Sequence, residues 1–511
     1  MPLPALIAAL LSATAYPHPA ADVRLIETHI SWVLLAGDHA YKIKKPLNLG
    51  FLDFSSLAKR RLYCEDEVRL NRRLAPDIYL GVVAITGSED VPKIAGDGPA
   101  LEWAVHMRAF PADSTLDRAA EITPEQVDAI ADRIARFHTA IDATPAASRY
   151  GSPEAVMHPV RENFRQLREL LQGQDDALGK IEPLSRWSEA EGGRLEDYFR
   201  QRKADGFVRE CHGDLHLGNI AWVDGAPLIF DCIEFNPALR HIDIANETAF
   251  LFMDLCARGQ AGLAWRFINR WLEQTGDYHG LAGFRFYQVY RALVRAKVAA
   301  FRYSQSEPTQ IAEVTRYLAL ADNFSQPQST QLTLMHGYSG SGKTWVAQRL
   351  LEATNAIRLR SDVERKRLFG LDSLADSKSI PGGIYGPEAG RRTLERLLAL
   401  SEDLLRVGYS VIVDATFLSH SWRGPFFQLA HRHGWPIRIV SLSVEVDLMR
   451  QRIVARAQRA NDASEAGLEV LESQLDHAEP LDAAESQCVY RLDPDLPVAW
   501  KQLLDWYAKP V

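Results

Sequence analysis

In the second half of the chain, short apolar runs alternate with stretches whose apolar residues recur every three or four positions. The runs are residues 332–335, 356–359, 411–413 and 437–442, and their alternation with helical patterns predicts a parallel sheet in an α/β domain. The first part of the chain reads differently. Strand-like patterning from residue 23 to about 107 gives way to a long, mainly helical stretch that reaches about 320. At the start, Leu3, Leu6, Ile7, Leu10 and Leu11 recur at helical spacing with no Lys or Arg before Arg24. Residues 3–15 are therefore expected as an amphipathic helix packed on the first domain, in preference to a secretion signal. Residues 305–320 read as a helix, and the polar, proline-containing stretch after it has no periodicity. That places a linker at 325–330, between a domain of residues 1–324 and one of 331–511.

The length agrees with two domains, since 511 residues exceed what one core accommodates. Apolar residues at 47% and charged residues at 24% are those of a globular chain. The net charge of −8 supplies no global basic field, so nucleic acid is a disfavoured partner, left open only for the C-terminal domain. No apolar run is long enough to predict a membrane span. The cysteines Cys64, Cys211, Cys232, Cys256 and Cys488 form no CxxC pair or zinc spacing, which fits a reducing, cytoplasmic setting.

Gly337-Tyr-Ser339-Gly340-Ser341-Gly342-Lys343-Thr344 matches GxxxxGK[ST], follows the apolar run 332–335 and opens a helical pattern. Its glycines let backbone N–H groups face phosphates, Lys343 reaches the outer phosphate oxygens, and the Thr344 hydroxyl is placed to ligate Mg2+. Asp414 ends the apolar run 411–413, where a carboxylate supports the metal; a plain strand end is the alternative. Asp362 stands at an expected helix start with Ser361 and Glu364 as a capping box. It is either a helix-dipole acid or the carboxylate that orients an acceptor hydroxyl, with Arg358 and Arg360 beside it to hold an anionic substrate. Arg452, Arg456 and Arg459 share one helical face. They read as a lid that stabilises the transferring phosphoryl group, or else as a solvated stripe.

Residues 332 to about 506 resemble the zeta-toxin and gluconate-kinase-like group of P-loop kinases within the AAA-like ATPases. The resemblance rests on the phosphate loop, Arg360-Ser-Asp362, Asp414-Ala-Thr416 and the arginine-rich helix. Too little chain follows the loop for a ring-forming motor ATPase, which leaves a small-molecule or nucleotide kinase.

A second, unrelated signature lies upstream. His212-Gly-Asp214-Leu-His216-Leu-Gly-Asn219 is followed by residues 228–230 and Asp231. A kinase-type catalytic loop supplies such an Asp as the carboxylate that takes the acceptor proton, and an Asn and a second Asp as metal ligands. Asp214 is assigned as the base, with Asn219 and Asp231 on the metal. A zinc site at His212 and His216 is disfavoured by the intervening glycine. The block resembles the aminoglycoside phosphotransferase family, whose fold is that of the protein kinases, over most of residues 20–322. The resemblance implies a bilobal domain with a phosphate-holding lysine and a glutamate partner. Lys42 on an expected strand and Glu67 in an expected helix fill these roles, with Lys44 on the same strand face as the rival lysine. It also implies that residues 101–107 lead into the adenine-binding hinge and that 153–203 cap the acceptor, while Thr123-Pro-Glu-Gln126 itself reads as a capping-box start for a helix through His138. Glu162, Glu189 and Glu191 are candidates there for attracting a cationic aminoglycoside. Arg240 and Asp243 are expected to brace the catalytic loop. No GxGxxG precedes Lys42, which leaves the lobe's grip on phosphate unassigned.

These features together predict a bifunctional kinase that uses ATP and Mg2+ at two sites and acts on small-molecule hydroxyl acceptors. One alternative makes one domain a regulator of the other. A second makes the C-terminal domain a toxin-like nucleotide-sugar or polynucleotide kinase beside a partner-binding N-terminal module.

Overall fold

A computed structural model describes residues 3–48, 52–304, 310–377, 383–459, 463–495 and 499–509, with 310 and 459 described by backbone alone. The expected helix at 305–320 is described from Gln310 onward, so its first turn lies outside the described residues.

β1 (Arg24–Glu27), β2 (Ser31–Ala36) and β3 (His39–Lys44) run antiparallel. The turn between β2 and β3 is two residues long, and Gly37 there has the φ of 60° that tight hairpins favour. Side chains alternate along β3. Tyr41 and Ile43 join a core with Leu34, Ile85, Ile7 and Leu10, which leaves Lys42 and Lys44 for the opposite face. The N-terminal helix that supplies Ile7 is shorter than its pattern suggests. α1 (Ala5–Ala9) ends before Leu10, and residues 13–15 form a separate turn capped by the Ser12 hydroxyl.

β4 (Tyr79–Gly87), β5 (Pro92–Ile94) and β6 (Glu102–Arg108) complete a six-stranded sheet of order β1-β2-β3-β6-β4-β5. α2 (Leu57–Asn71), capped by Ser56, packs on β4 and β6 and carries Glu67 inward. α3 (Pro124–Ala140) opens with the expected capping box, Thr123 and Gln126 bonding each other's backbone. α4 (Pro153–Leu170), α5 (Asp175–Arg194) and α6 (Glu196–Ala204) follow. Two small antiparallel pairs, β7 (Val208–Glu210) with β10 (His241–Asp243) and β8 (Ile220–Val223) with β9 (Ala226–Ile229), frame the catalytic-type loop. α7 (Pro237–Arg240) and α8 (Ile244–Ala257) come next.

α9 (Ala261–Thr275), α10 (Leu281–Ser304) and α11 (Gln310–Ser325) precede the second sheet. That sheet holds β11 (Leu332–His336), β12 (Ile357–Arg360), β13 (Val411–Asp414), β14 (Ile437–Leu442) and β15 (Val489–Leu492), all parallel, in the order β12-β13-β11-β14-β15. The first four are the expected runs. β15 went unread because only Leu492 of its residues is buried and its polarity is mixed. α12 (Lys343–Thr354), α13 (Ser361–Leu368), α14 (Pro387–Arg406), α15 (His420–His433), α16 (Val446–Arg459), α17 (Leu468–His477) and α18 (Ala499–Tyr507) connect and cover the strands.

The fold is thus a kinase-like domain with an antiparallel sheet and a C-terminal α/β domain with a parallel sheet. The chain forms two compact units, Met1–Asp254 with Tyr290–Pro308, and Leu255–Val289 with Thr309–Val511. This division differs from a cut at 325–330, a segment that joins α11 to β11 within the second unit. The reason is α9, whose buried Phe267, Ile268, Trp271 and Leu272 belong to a helix packed on α12 and β12. Periodicity marks that apolar face but not the partner that covers it.

Candidate active sites

In the first unit, strand and helix bring one cation to two carboxylates. Lys42 Nζ lies 2.9 Å from Glu67 Oε1 and 2.5 Å from Asp231 Oδ1. Burial works against its charge, yet Asp231, Glu67 and Glu234 together hold the Lys42 ammonium well above its ordinary value. Lys44 points the same way but is fully buried, bonded to Glu67 Oε2 at 2.6 Å and to Glu234. Lys42 is 12% exposed and faces an Asp231 that is 46% exposed, so of the two lysines it is the one at an accessible carboxylate. The Glu67 carboxyl, despite burial, is drawn down to about 2 by Lys42 and Lys44. Asp231 has a left-handed φ of 63°, a conformation that costs a non-glycine residue energy and concentrates at functional positions. Its N–H donates to the Tyr79 hydroxyl at 3.2 Å.

The loop opposite is held by hydrogen bonds at nearly every residue. His212 bonds the Phe230 carbonyl through Nε2 at 2.8 Å and accepts the Asp214 N–H at Nδ1. Burial lowers its pKa, and that neutral, two-way bonding makes it a brace and not a metal ligand. Gly213 has a φ of 89°, and a side chain there would meet the Leu239 carbonyl oxygen at 2.8 Å. Its N–H donates to Glu247, itself bonded to His138, and its carbonyl accepts from Arg291. His216 accepts the Gly218 N–H at Nδ1, so the proton on Nε2 faces Asp214 Oδ2, 3.4 Å away. Burial opposes ionisation of Asp214, but His216, then His212 and Arg295, hold its carboxyl well below the usual range. Asn219 Nδ2 donates to Asp214 Oδ2 at 3.1 Å, which leaves the Asn219 oxygen for another partner.

In the second unit, β11 delivers the phosphate loop to α12. Gly337, Gly340 and Gly342 have φ of 145°, 81° and 92°. A side chain on Gly340 would meet the Met449 carbonyl oxygen of α16 at 2.6 Å. Lys343 Nζ donates to the Tyr338 carbonyl at 2.7 Å, and Ser339 is bonded through both its N–H and its hydroxyl by Gln474 of α17. Burial lowers the Lys343 pKa to about 8, against Asp414 and Asp362, whose fields place both acids near it. Asp414 is raised, chiefly by burial, with Arg360, Arg358, Lys343 and the Thr344 hydroxyl acting the other way. Its Oδ2 and the Ser341 hydroxyl are buried without a hydrogen-bond partner. Arg452 reaches to 3.8 Å from where a Gly342 side chain would begin and pairs with Asp495 at 2.6 Å. Arg456 donates to the Ala466 carbonyl and adds positive field at Lys343. The Arg459 side chain lies outside the described residues.

Several expectations do not hold. Ser361 and Glu364 form no capping box: the helix is capped from Arg360 without a side-chain bond, and Glu364 is buried against Arg367 and Arg396. Asp362 faces Arg365 at 3.6 Å. Arg358 is buried in an ion pair with Glu273, and Arg360, 12% exposed, lies 3.6 Å from the same carboxylate, so that acid already stands where an anionic substrate was expected. Glu162, Glu189 and Glu191 are each paired with an arginine of the helical layer, so they offer a cationic acceptor no unspent charge. Asp243 is bound to Arg202 at 2.7 Å instead of the loop, whereas Arg240 does brace it, its carbonyl accepting the Cys211 N–H. Glu234, Glu247, Arg291 and Glu273 escaped the sequence reading, since each acts across a long stretch of chain with no local motif.

Both sites fit Mg2+ with a nucleotide. The donors near the phosphate positions are hard oxygens, those of Asn219 and Asp231 in one unit and of Thr344 and Asp414 in the other, and Asp414 Oδ2 is a buried oxygen lacking a partner. Among the described residues, no helix is long and apolar enough to cross a membrane.

Two family models match the chain. Residues 52–284 match the phosphotransferase enzyme family and residues 332–481 an AAA domain. Uncharacterized proteins of Mycobacterium tuberculosis H37Rv and Mycobacterium bovis are 33% identical over 464 residues, 88% of this chain and 90% of theirs. Among solved structures, a gluconokinase from Sinorhizobium meliloti is 17% identical, covering 35% of this chain and 93% of that one, with a TM-score of 0.26. An ADP-bound aminoglycoside phosphotransferase is 13% identical, covering 60% and 95%, with a TM-score of 0.36. A choline kinase from Cryptosporidium parvum is 12% identical, covering 62% and 95%, with a TM-score of 0.39.

Proposed function

Because this chain belongs to the family of those mycobacterial proteins and joins a phosphotransferase-family domain to a P-loop kinase-like domain, we propose that it is a bifunctional ATP-dependent kinase. Each unit transfers the γ-phosphate of ATP to a hydroxyl of a small molecule. The observation that carries this reading is that each unit holds its own lysine beside carboxylates, Lys42 with Glu67 and Asp231, and Lys343 near Asp414 and Asp362.

In the first unit Lys42 grips the ATP phosphates, and Asn219 and Asp231 hold Mg2+. Asp214 orients the acceptor hydroxyl and takes its proton as the oxygen attacks the γ-phosphorus and the bond to the leaving ADP oxygen breaks. A carboxyl held this low is a weak base, suited to a loose transition state in which the proton leaves late. In the second unit the glycine cradle, Ser339, Ser341 and Lys343 hold the phosphates, Thr344 and Asp414 hold Mg2+, and Asp362 orients the acceptor. Arg452 and Arg456 meet the charge that builds on the phosphoryl group. The ion, when bound, neutralises phosphate charge at either site.

The test uses full-length protein, labelled ATP and a panel of hydroxylated metabolites and aminoglycosides. Asp214→Ala should abolish one set of labelled products and Lys343→Ala the other. Loss of both sets from either folded variant would leave one catalytic site and one regulatory site. No labelled product from the wild type would overturn the kinase reading.

A further inference from the structure

Beyond the end of β13 the chain lines one side of a cleft of about 430 Å³ with Thr416, Leu418 and Trp422, and α17 lines the other with Glu469, Ser473 and Gln474. That volume is within the range of small-molecule sites, roughly 300–1,000 Å³. The inner end of the cleft meets the phosphate loop. Gln474 spends its amide on Ser339, Oε1 accepting the N–H at 2.8 Å and Nε2 donating to the hydroxyl at 3.1 Å, and the Thr416 carbonyl accepts the Gly337 N–H at 3.1 Å. The two walls are tied together where the Glu479 N–H donates to the Leu418 carbonyl at 2.8 Å. A ligand seated there has one end beside the loop that cradles phosphates.

We propose that this cleft is the acceptor site of the P-loop unit and that it takes a polyhydroxylated ring without negative charge, a sugar or a cyclitol. The proposal rests on reading that unit as a kinase. The shape of the lining sets the first half of the class. The Trp422 ring packs edge to face on Phe417 at 6.4 Å, and its Cζ2 lies 3.9 Å from where a Gly390 side chain of α14 would begin. An aromatic surface pinned in this way loses little freedom on binding. A sugar ring shows C–H groups on its face and hydroxyls around its rim, so the face suits the indole and the rim suits the hydroxyls of Thr416 and Ser473. His477 also lines the cleft, and with Nδ1 donating to the Ser473 carbonyl at 2.8 Å its neutral ring keeps Nε2 as an acceptor for a ligand hydroxyl.

Charge sets the second half. Among the described residues no lysine or arginine lines the cleft. Glu469 does, exposed and, among the described residues, without an ion-pair partner. Arg423, next to Trp422, is 1% exposed and spent on Glu485 and on the carbonyls of Phe417 and Pro480. A sugar acid or sugar phosphate would bring a second negative charge to Glu469 with no cation in the lining to meet it.

The experiment uses full-length Asp214→Ala protein, so that the first unit is silent, with labelled ATP, Mg2+ and a panel that varies charge: glucose, myo-inositol, glucosamine, gluconate and glucose 6-phosphate. Saturation-transfer NMR of the same compounds in the presence of ADP reads binding apart from turnover. At least one uncharged or amino-bearing member should be phosphorylated, with kcat/KM about tenfold or more above both anions. Trp422→Ala removes the aromatic surface, and Ser473→Leu fills the cleft from an exposed position while keeping a good helix former on α17. Each should raise KM for that acceptor about tenfold or more, the scale of losing one aromatic anchor, and leave KM for ATP within about twofold. Ser473→Leu carries the test if Trp422→Ala melts early. A preference for either anion, product formation that Ser473→Leu does not weaken, or no panel member whose binding Ser473→Leu removes overturns the site. A ring that the wild-type cleft binds and Ser473→Leu releases, with no labelled product, makes the kinase reading fail while the sugar cleft stands.

Discussion

Lys42 and Lys44 share one strand face and one glutamate, yet their removal should have opposite consequences. In Lys44→Met, Glu67 keeps Lys42 as a partner at 2.9 Å, whereas Glu234 loses the ammonium it contacts in a fully buried position. Stranding one member of a buried pair costs about 3–5 kcal/mol. Protonation of Glu234, whose carboxyl burial pushes up even against Lys44, relieves part of that cost and places the loss toward the lower end. At about 2–4 °C per kcal/mol for large domains, the melting temperature should fall by roughly 6–20 °C. In Lys42→Met, Glu67 keeps Lys44 at 2.6 Å and the other carboxylate left behind, Asp231, is 46% exposed and able to turn to water, so the stability change should stay near about 1 kcal/mol. Nucleotide affinity should instead drop about 10- to 100-fold, the worth of a hydrogen bond from a charged donor. Melting by circular dichroism and titration with a fluorescent ADP analogue, in a Lys343→Ala background, give the two readouts. A stable Lys44→Met protein that no longer binds nucleotide, beside a Lys42→Met protein that binds normally, would refute the reasoning.

Asp214→Ala should lower first-unit turnover by about 10²–10⁴-fold and leave ATP affinity within a few-fold, because the base acts on the acceptor; steady-state kinetics and ADP titration check both. Arg456→Ala should lower kcat of the P-loop unit about 100-fold with KM for ATP nearly unchanged, and an effect confined to KM would return the arginine to a solvated stripe. His336, at the end of β11, is lowered to about 4, first by burial and then by Arg423 and Lys343. The unfolded chain therefore takes up a proton between about pH 6.5 and 4 that the folded chain refuses, so this contribution is present above 6.5 and is lost as the pH falls through that window. His336→Gln should lose less stability between pH 7 and pH 5 than the wild type in urea denaturation, and equal losses would refute the assignment.

What the chain discloses in order, it discloses well. The phosphate loop from Gly337 to Thr344 and the catalytic-type loop from His212 to Asn219 are contiguous, and their spacing alone carries the backbone geometry. The four apolar runs of the parallel sheet and the capping box at Thr123 are local in the same sense. Pairings across the fold are not. Glu364 has the spacing of a cap but finds Arg367 and Arg396 in the interior, where a charge must be matched. Arg358 and Arg360 flank a strand end as substrate arginines would, and only the position of α9 reveals that Glu273 already stands beside them. The choice between Lys42 and Lys44 turns on which carboxylate each meets, a matter of register between β3 and a loop nearly two hundred residues away.

Neither unit is made from one uninterrupted piece of chain, and that has a consequence during synthesis. α9 leaves the ribosome before any strand of the sheet it will cover, with Phe267, Ile268, Trp271 and Leu272 awaiting burial. At about 5–20 residues per second, the sheet is not complete until roughly 10–40 s later, when β15 emerges. Early in that interval the first unit also lacks residues 290–308, until they follow α9 out. A nascent chain of this design must shelter an apolar helix while both of its units are unfinished, and truncation at 325–330 would leave the helix permanently without its sheet.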